Sequence, residues 1–238
     1  VSLFLLLVAI PLTIAVGFYI MDVAAVGTVF EKLFGPRKYY FISLVIIIYS
    51  LLPFFMVFEG RKPQVRELVV LATMVALATA GRAAFFMIPS FKPIIAIVII
   101  SAIAFGGEAG FLVGAMTMVV SNFLFGQGPW TPWQMFAMGF IGFLSGILYR
   151  IGLLPTKRLS LCIYGFLVTV FIYGGIMNPA ALFMSVYDFT WEGLLAIYIS
   201  GIPVDLVHGS STFIFLWIGA KPLLEKLQRI KIKYDLMR

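Results

Sequence analysis

Ile94-Ile95-Ala96-Ile97-Val98-Ile99-Ile100-Ser101-Ala102-Ile103 carries no charge, and its apolar side chains do not alternate with polar ones. A membrane-spanning β-barrel strand needs that alternation, and Phe41 to Leu52 lacks it as well. Helices are the remaining solution, because a chain crossing a hydrocarbon core of about 30 Å must satisfy its backbone hydrogen bonds internally, with about 20 residues per crossing. The whole composition agrees: 62% of the residues are hydrophobic, 11% are charged and the mean hydropathy is +1.09. A soluble domain of 238 residues could not hide that much apolar surface. The expected fold class is all-α, a polytopic transmembrane helix bundle.

Charge and Gly/Pro punctuation place spans near 3–21, 39–58, 67–87, 93–106, 109–125, 133–149, 158–174 and 192–218, the fourth being short. Leu3 to Met21 has no basic n-region and no Ala-x-Ala-like site ahead of a soluble domain, so it reads as an ordinary span. The chain divides into additional N-terminal helices over 1–65, a six-helix core over 66–220 and a basic tail over 221–238. Without internal repeats or long linkers, it is a single membrane domain.

A cytoplasmic C-terminus puts Arg61, Lys62, Arg66, Arg150, Lys157, Arg158, Lys221, Lys226, Arg229, Lys231, Lys233 and Arg238 on one side of a cell membrane. That is 12 of the 17 basic residues, with Lys32, Arg37 and Lys38 opposite. The positive-inside rule favours this orientation. The tail from Lys221 onward, including Lys226, Arg229, Lys231 and Lys233, accounts for most of the net charge of +7. Such a tail suits anionic lipid headgroups, and no nucleic acid is needed to explain it.

On that topology the outward segments are Arg82 to Pro93, Gly126 to Trp133 and Gly175 to Trp191, all rich in aromatics, proline and amides. Gly126-Gln127-Gly128-Pro129-Trp130-Thr131-Pro132-Trp133-Gln134 is uncharged, with two stiffening prolines and two indoles. Each indole can anchor the loop at headgroup level or close over a ligand. Asn122 and Asn178 bring further amides to the same mouth.

Charge inside a span is costly, about 2.5–3.5 kcal/mol at the bilayer centre, and must face the bundle interior. Asp205 and His208 in Pro203-Val204-Asp205-Leu206-Val207-His208 share a helical face, and Arg82 is the expected ion-pair partner of Asp205. Three roles stay open for the pair: a buried polar clamp, a direct ligand contact by His208, or a proton relay. Glu108 reads as a helix N-terminal charge. Ala72, Ala76 and Ala80 form a small-residue stripe that permits close helix approach, either within the bundle or, on a lipid-facing side, to a separate subunit.

No phosphate-binding Gly-x-x-x-x-Gly-Lys-Ser/Thr, His-Glu-x-x-His or Gly-x-Ser-x-Gly occurs. A single histidine and a single cysteine, Cys162, exclude a multi-histidine or multi-cysteine metal centre within one chain. No enzyme activity, resident cofactor or metal is expected.

The Ala72, Ala76, Ala80 stripe, the Ser121 to Met135 segment with Gly139 and Gly142 after it, and Pro203 to His208 together resemble the S components of energy-coupling factor (ECF) transporters. The resemblance spans about residues 66 to 220, and within the family the cobalamin-specific members are the most similar. It implies a six-helix bundle that captures a vitamin at its outer end beneath outward loops. It also implies docking of the alanine stripe on a transmembrane coupling subunit driven by two ATPase subunits, which use the ATP, and toppling of the bundle to carry its ligand inward. Expected pocket walls are Phe85, Phe86, Trp130, Trp133, Tyr187 and Trp191. The expected polar contacts are Asn122, Gln127, Gln134, Asn178 and Asp188, with Arg82, Asp205 and His208 holding the helix ends. Two other readings use Asp205 and His208 differently, as the relay of a proton-coupled secondary transporter or as the acid–base pair of an intramembrane enzyme.

Overall fold

The computed structural model describes residues 64–185 and 190–236, together with Val45, Ile47, Ile48, Leu51 and Gly60. The span expected at 3–21, most of that at 39–58, and both Tyr187 and Asp188 lie outside the described residues.

Every regular element among the described residues is helical: α1 (Val65–Ala84), α2 (Ile94–Phe105), α3 (Gly107–Phe125), α4 (Thr131–Arg150), α5 (Arg158–Leu167), a π-helical stretch (Val168–Tyr173), α6 (Gly174–Ser185) and α7 (Trp191–Tyr234). The segment Arg158–Ser185 runs as one helical span. Counted that way, the six core spans expected from sequence are present. Five of them are long and apolar enough to cross a membrane, and α2 is a shorter apolar helix. The protein is a multi-pass helical membrane bundle. Its chain direction gathers the connections 85–93 and 126–130, the end of α6 and the start of α7 at one end, here the aromatic end. Arg66, Arg150, Arg158 and the C-terminal turns of α7 lie toward the other, the basic end.

All twelve residues of α2 are buried. A helix that is apolar on every side belongs in a core, and at 1.5 Å per residue α2 extends only about 18 Å, well short of a full crossing. It stops at Gly106, whose φ of 95° lies in the region that favours glycine, and α3 begins at the next residue. The Lys231 ammonium donates to the Ala104 carbonyl at 3.1 Å, which satisfies a helix-terminal acceptor that would otherwise be orphaned inside the bundle.

Two expectations about helix ends are corrected. The span placed at 158–174 continues to Ser185, so much of the expected outward segment from Gly175 is helical and Asn178-Pro179 sits inside α6. Pro179 has no N–H to give the carbonyl four residues earlier, and that carbonyl, on Gly175, accepts from the Tyr198 hydroxyl at 2.8 Å instead. Likewise the boundary drawn at 220/221 falls within α7, which runs unbroken for 44 residues through Pro203 and Pro222. Thr190 caps its start by accepting from the Gly193 N–H at 3.0 Å.

The tightest packing joins α3 to α4. A Cβ on Gly142 would stand 2.3 Å from the Gly110 carbonyl oxygen, one on Gly146 2.3 Å from the Gly107 nitrogen, and one on Gly114 2.4 Å from the Met138 carbonyl oxygen. Gly107, Gly110 and Gly114 on α3 therefore lie against Gly146, Gly142 and Met138 on α4, in that order, and the backbones touch. Because the obstructing atoms are backbone, no rotamer change relieves a larger residue. Gly142→Val is expected to cost about 1–3 kcal/mol or more, the scale of core overpacking. Gly219→Ala, which meets nothing within 4 Å, should be neutral or stabilising by up to about 1 kcal/mol. Thermal unfolding of the purified variants in detergent measures the difference, and equal melting temperatures would contradict the assigned contact.

Candidate functional site

At the aromatic end α1, α3 and α4 converge on a polar cluster. Ser121 and Asn122, both fully buried, occupy the last turn of α3. The Arg82 guanidinium, from the last turn of α1, donates to Ser121 Oγ and Asn122 Oδ1, each at 2.6 Å. The Asn122 amide then donates to Thr131 Oγ1 at 2.9 Å and to Gln134 Oε1 at 2.8 Å, both at the start of α4. Thr131 in turn donates to Gln127 Oε1 at 2.9 Å, and Gln127 Nε2 reaches the Val119 carbonyl at 3.2 Å. One buried amide thus spends its acceptor on α1 and both donors on α4, which fixes three helix ends relative to each other.

The aromatic shell continues from this cluster. Arg82 lies over the Phe125 ring at 5.2 Å, and Phe125 stacks on the exposed Phe86 at 5.0 Å. Phe85 turns the other way, edge-on to Phe215 of α7 at 4.9 Å and close to Phe91. Lys92 folds back over the 85–93 connection. Its ammonium donates to the carbonyls of Phe85, Phe86 (3.3 Å) and Ile88 (2.5 Å), while its own carbonyl accepts from Ser211 Oγ of α7 at 2.9 Å. Removal from water, with Arg82 nearby, holds the Lys92 pKa below the ordinary lysine value.

Asp205 and His208 sit on α7 but have different partners. Asp205 accepts from Asn178 Nδ2 of α6 at 2.8 Å. That pair fits only because Gly174 and Gly201 lack side chains, since a Cβ at either would press on Asp205 or Asn178 at 2.5–2.6 Å. His208 is buried, with its ring edge-on to Tyr173 at 4.9 Å and 87°. Tyr173 ends the π-helical stretch, a backbone form that often marks functional positions. The expected Arg82–Asp205 ion pair is therefore replaced by two separate partnerships with uncharged side chains, Arg82 with Ser121 and Asn122 and Asp205 with Asn178.

The remaining expected residues divide. Trp130 immediately precedes α4, is 39% exposed and lies against Gly128. Trp133, three residues on, is buried against Phe183 and beside Ala180, and its indole N–H has no partner among the described residues. It belongs to a core cluster rather than to the exposed loop. The Thr79 hydroxyl of α1 is also buried and unpartnered among the described residues. Trp191 is exposed at the start of α7. Sequence reasoning did not assign roles to Thr131, Tyr173 or Lys92. A hydroxyl at a helix start beside Pro132, and a lone phenol in an apolar run, were the available signals.

The family described as ECF-type riboflavin transporter, S component, matches residues 62–229. The chain belongs to this family. The match covers all six core spans and stops within the last turns of α7. No curated protein and no solved structure matches. As an S component the chain is a transporter's substrate-binding subunit, not an enzyme, and it works with coupling and ATPase subunits.

Asn122→Ala should lower stability by about 1–3 kcal/mol without any vitamin present, because Arg82, Thr131 and Gln134 each lose a partner inside the bundle. Gln127→Ala, at an exposed position, should change it by about 0.5 kcal/mol or less. Melting curves of the ligand-free proteins test this ordering, and a reversed order would remove Asn122 from its central place.

Proposed function

We propose that this S component captures a vitamin at its aromatic end and that this end faces outward, with the C-terminus cytoplasmic. The observation carrying the proposal is the coincidence of the family match with a preorganised polar cluster roofed by aromatic connections at one end only. Trp130 and Phe86 supply exposed apolar faces, while Arg82, Asn122 and Gln134 stand beneath them as a rigid polar floor. Trp133 contributes through its spare indole N–H and Asn178, Asp205 and His208 through the α6–α7 wall. Such a combination of apolar walls and few fixed polar groups suits a heterocyclic vitamin.

Riboflavin, the vitamin in the family's description, is the first ligand to test. Cobalamin or a related corrinoid is the second reading, favoured by the amide- and indole-rich stretch Gly126 to Gln134, which offers a bulky amide-bearing ligand a broad uncharged edge. Neither a proton relay nor acid–base catalysis gains support from the Asp205 and His208 geometry, since each has its own partner on α6 or the π-helical stretch.

Ala72, Ala76 and Ala80 are all exposed, whereas α1 buries Leu71, Met74, Val75, Ala78 and Thr79. A small-residue face turned away from its own bundle suits close approach by a helix of the coupling subunit. Two substitutions separate capture from docking. Trp130→Ala should weaken vitamin binding by about tenfold or more, an aromatic anchor being worth about 1.5–3 kcal/mol when buried under ligand, while assembly with the coupling subunit persists. Ala76→Leu should abolish uptake in cells with binding unchanged. Identical phenotypes from the two would refute the division of surfaces.

A further inference from the structure

Because α2 ends at Phe105, the bundle leaves a cleft of about 550 Å³ beneath it at the basic end. The cleft lies between the last turn of α4, the first turn of α5 and α7 from Ala220 to Ile232. Its size falls in the range of ordinary small-ligand sites.

Three cations converge on it. Arg158 comes from α5, held over the Trp217 ring at 5.1 Å, while Lys221 and Arg229 come from α7. Glu225 lies between the latter two at one-turn spacing on the same face, so the lining stays net positive. Tyr149 and Thr156 add hydroxyls that donate to an anion. The inner wall is apolar, formed by Ile103, Leu224 and Ile232. Leu159 and Ile218, each next in sequence to Arg158 or Trp217, are exposed apolar side chains on this helical membrane bundle. Lys231 is engaged elsewhere, on the Ala104 carbonyl.

We propose that this cleft is a binding site for one anionic phospholipid, with the phosphate held by Arg158, Lys221 and Arg229 and the first acyl carbons against Ile103, Leu224 and Ile232. A cationic rim joined to an apolar wall is what a glycerophospholipid presents in reverse, and a soluble phosphate would leave the apolar wall uncovered. The site is at the opposite end from the vitamin cluster and would take its lipid whichever vitamin that cluster binds.

The test is native mass spectrometry of the full purified chain from detergent doped equally with phosphatidylglycerol and phosphatidylcholine. The wild type should retain one phosphatidylglycerol in preference, by about fivefold for each engaged cation. Lys221→Gln with Arg229→Gln should bring the two lipids close to parity. Lys226→Gln with Lys233→Gln removes the same charge from tail positions outside the lining and should keep the preference. Equal retention of the two lipids by wild type, or equal loss in both double variants, would overturn the proposal. Displacement of the lipid by inorganic phosphate at matched concentration would assign the cleft to a soluble anion and overturn it as well. If the first double variant fails to give a monodisperse protein, the wild-type preference and Arg158→Gln decide the matter.

Discussion

The backbone contact between α3 and α4 is the constraint from which the rest of the bundle follows. With Gly107, Gly110 and Gly114 facing Met138, Gly142 and Gly146, two helices meet at backbone distance along most of their length. Lipid tails supply no hydrophobic drive for helix association, so close van der Waals approach must do that work, and only glycine permits it here. The same contact brings the end of α3 and the start of α4 close enough for one side chain, Asn122, to reach Thr131 and Gln134 together. A wider spacing would leave a buried amide unsatisfied at a cost of about 1–3 kcal/mol.

Around that pair the other helices are fitted by local chemistry. α2 is a short apolar rod buried on all sides, and its truncated end is met by Lys231. α1 leans on the bundle with one face and leaves its alanines outside. The α5–α6 span and α7 interlock through small residues, where Gly165 receives Leu216 and Gly209 receives Phe166, and through the Thr169–Thr212 hydroxyl contact at 3.0 Å. These devices differ in kind, yet each satisfies a polar or steric demand that a membrane interior makes unusually costly to leave unmet. The consequence is functional asymmetry: amides and aromatics at one end, a cationic cleft at the other.

Much of this was legible in the sequence, because apolar length reports membrane spans directly and the order of the six core helices follows from it. The grouping of Arg82 with Asn122 and Gln134 at one mouth was legible for the same reason, since span ends fall at a common level. What was not legible depends on rotation about helix axes. Arg82 finds Ser121 and Asn122 rather than Asp205 because of the face that α1 presents, which no span boundary reveals. Trp130 and Trp133 part company because the first precedes the helix and the second lies inside it, so three residues of spacing do not give a shared face. The α6 helix was read as loop because Asn178-Pro179 is a turn signal in water. In this bundle Tyr198 replaces the hydrogen bond that proline removes. The facing glycines, by contrast, were written in Gly107-x-x-Gly110 and Gly142-x-x-x-Gly146 and required only the correct spacing to be sought.

The central claim is that this S component binds a vitamin by itself, through the cluster at its aromatic end. The most direct measurement is the absorption spectrum of the purified wild-type chain after incubation with riboflavin or cobalamin and removal of free ligand, repeated with Arg82→Gln. The account predicts that one chromophore is retained by the wild type at a ratio near one per chain and is lost from the variant. Retention of neither would contradict capture by this chain. Undiminished retention by the variant would contradict the site.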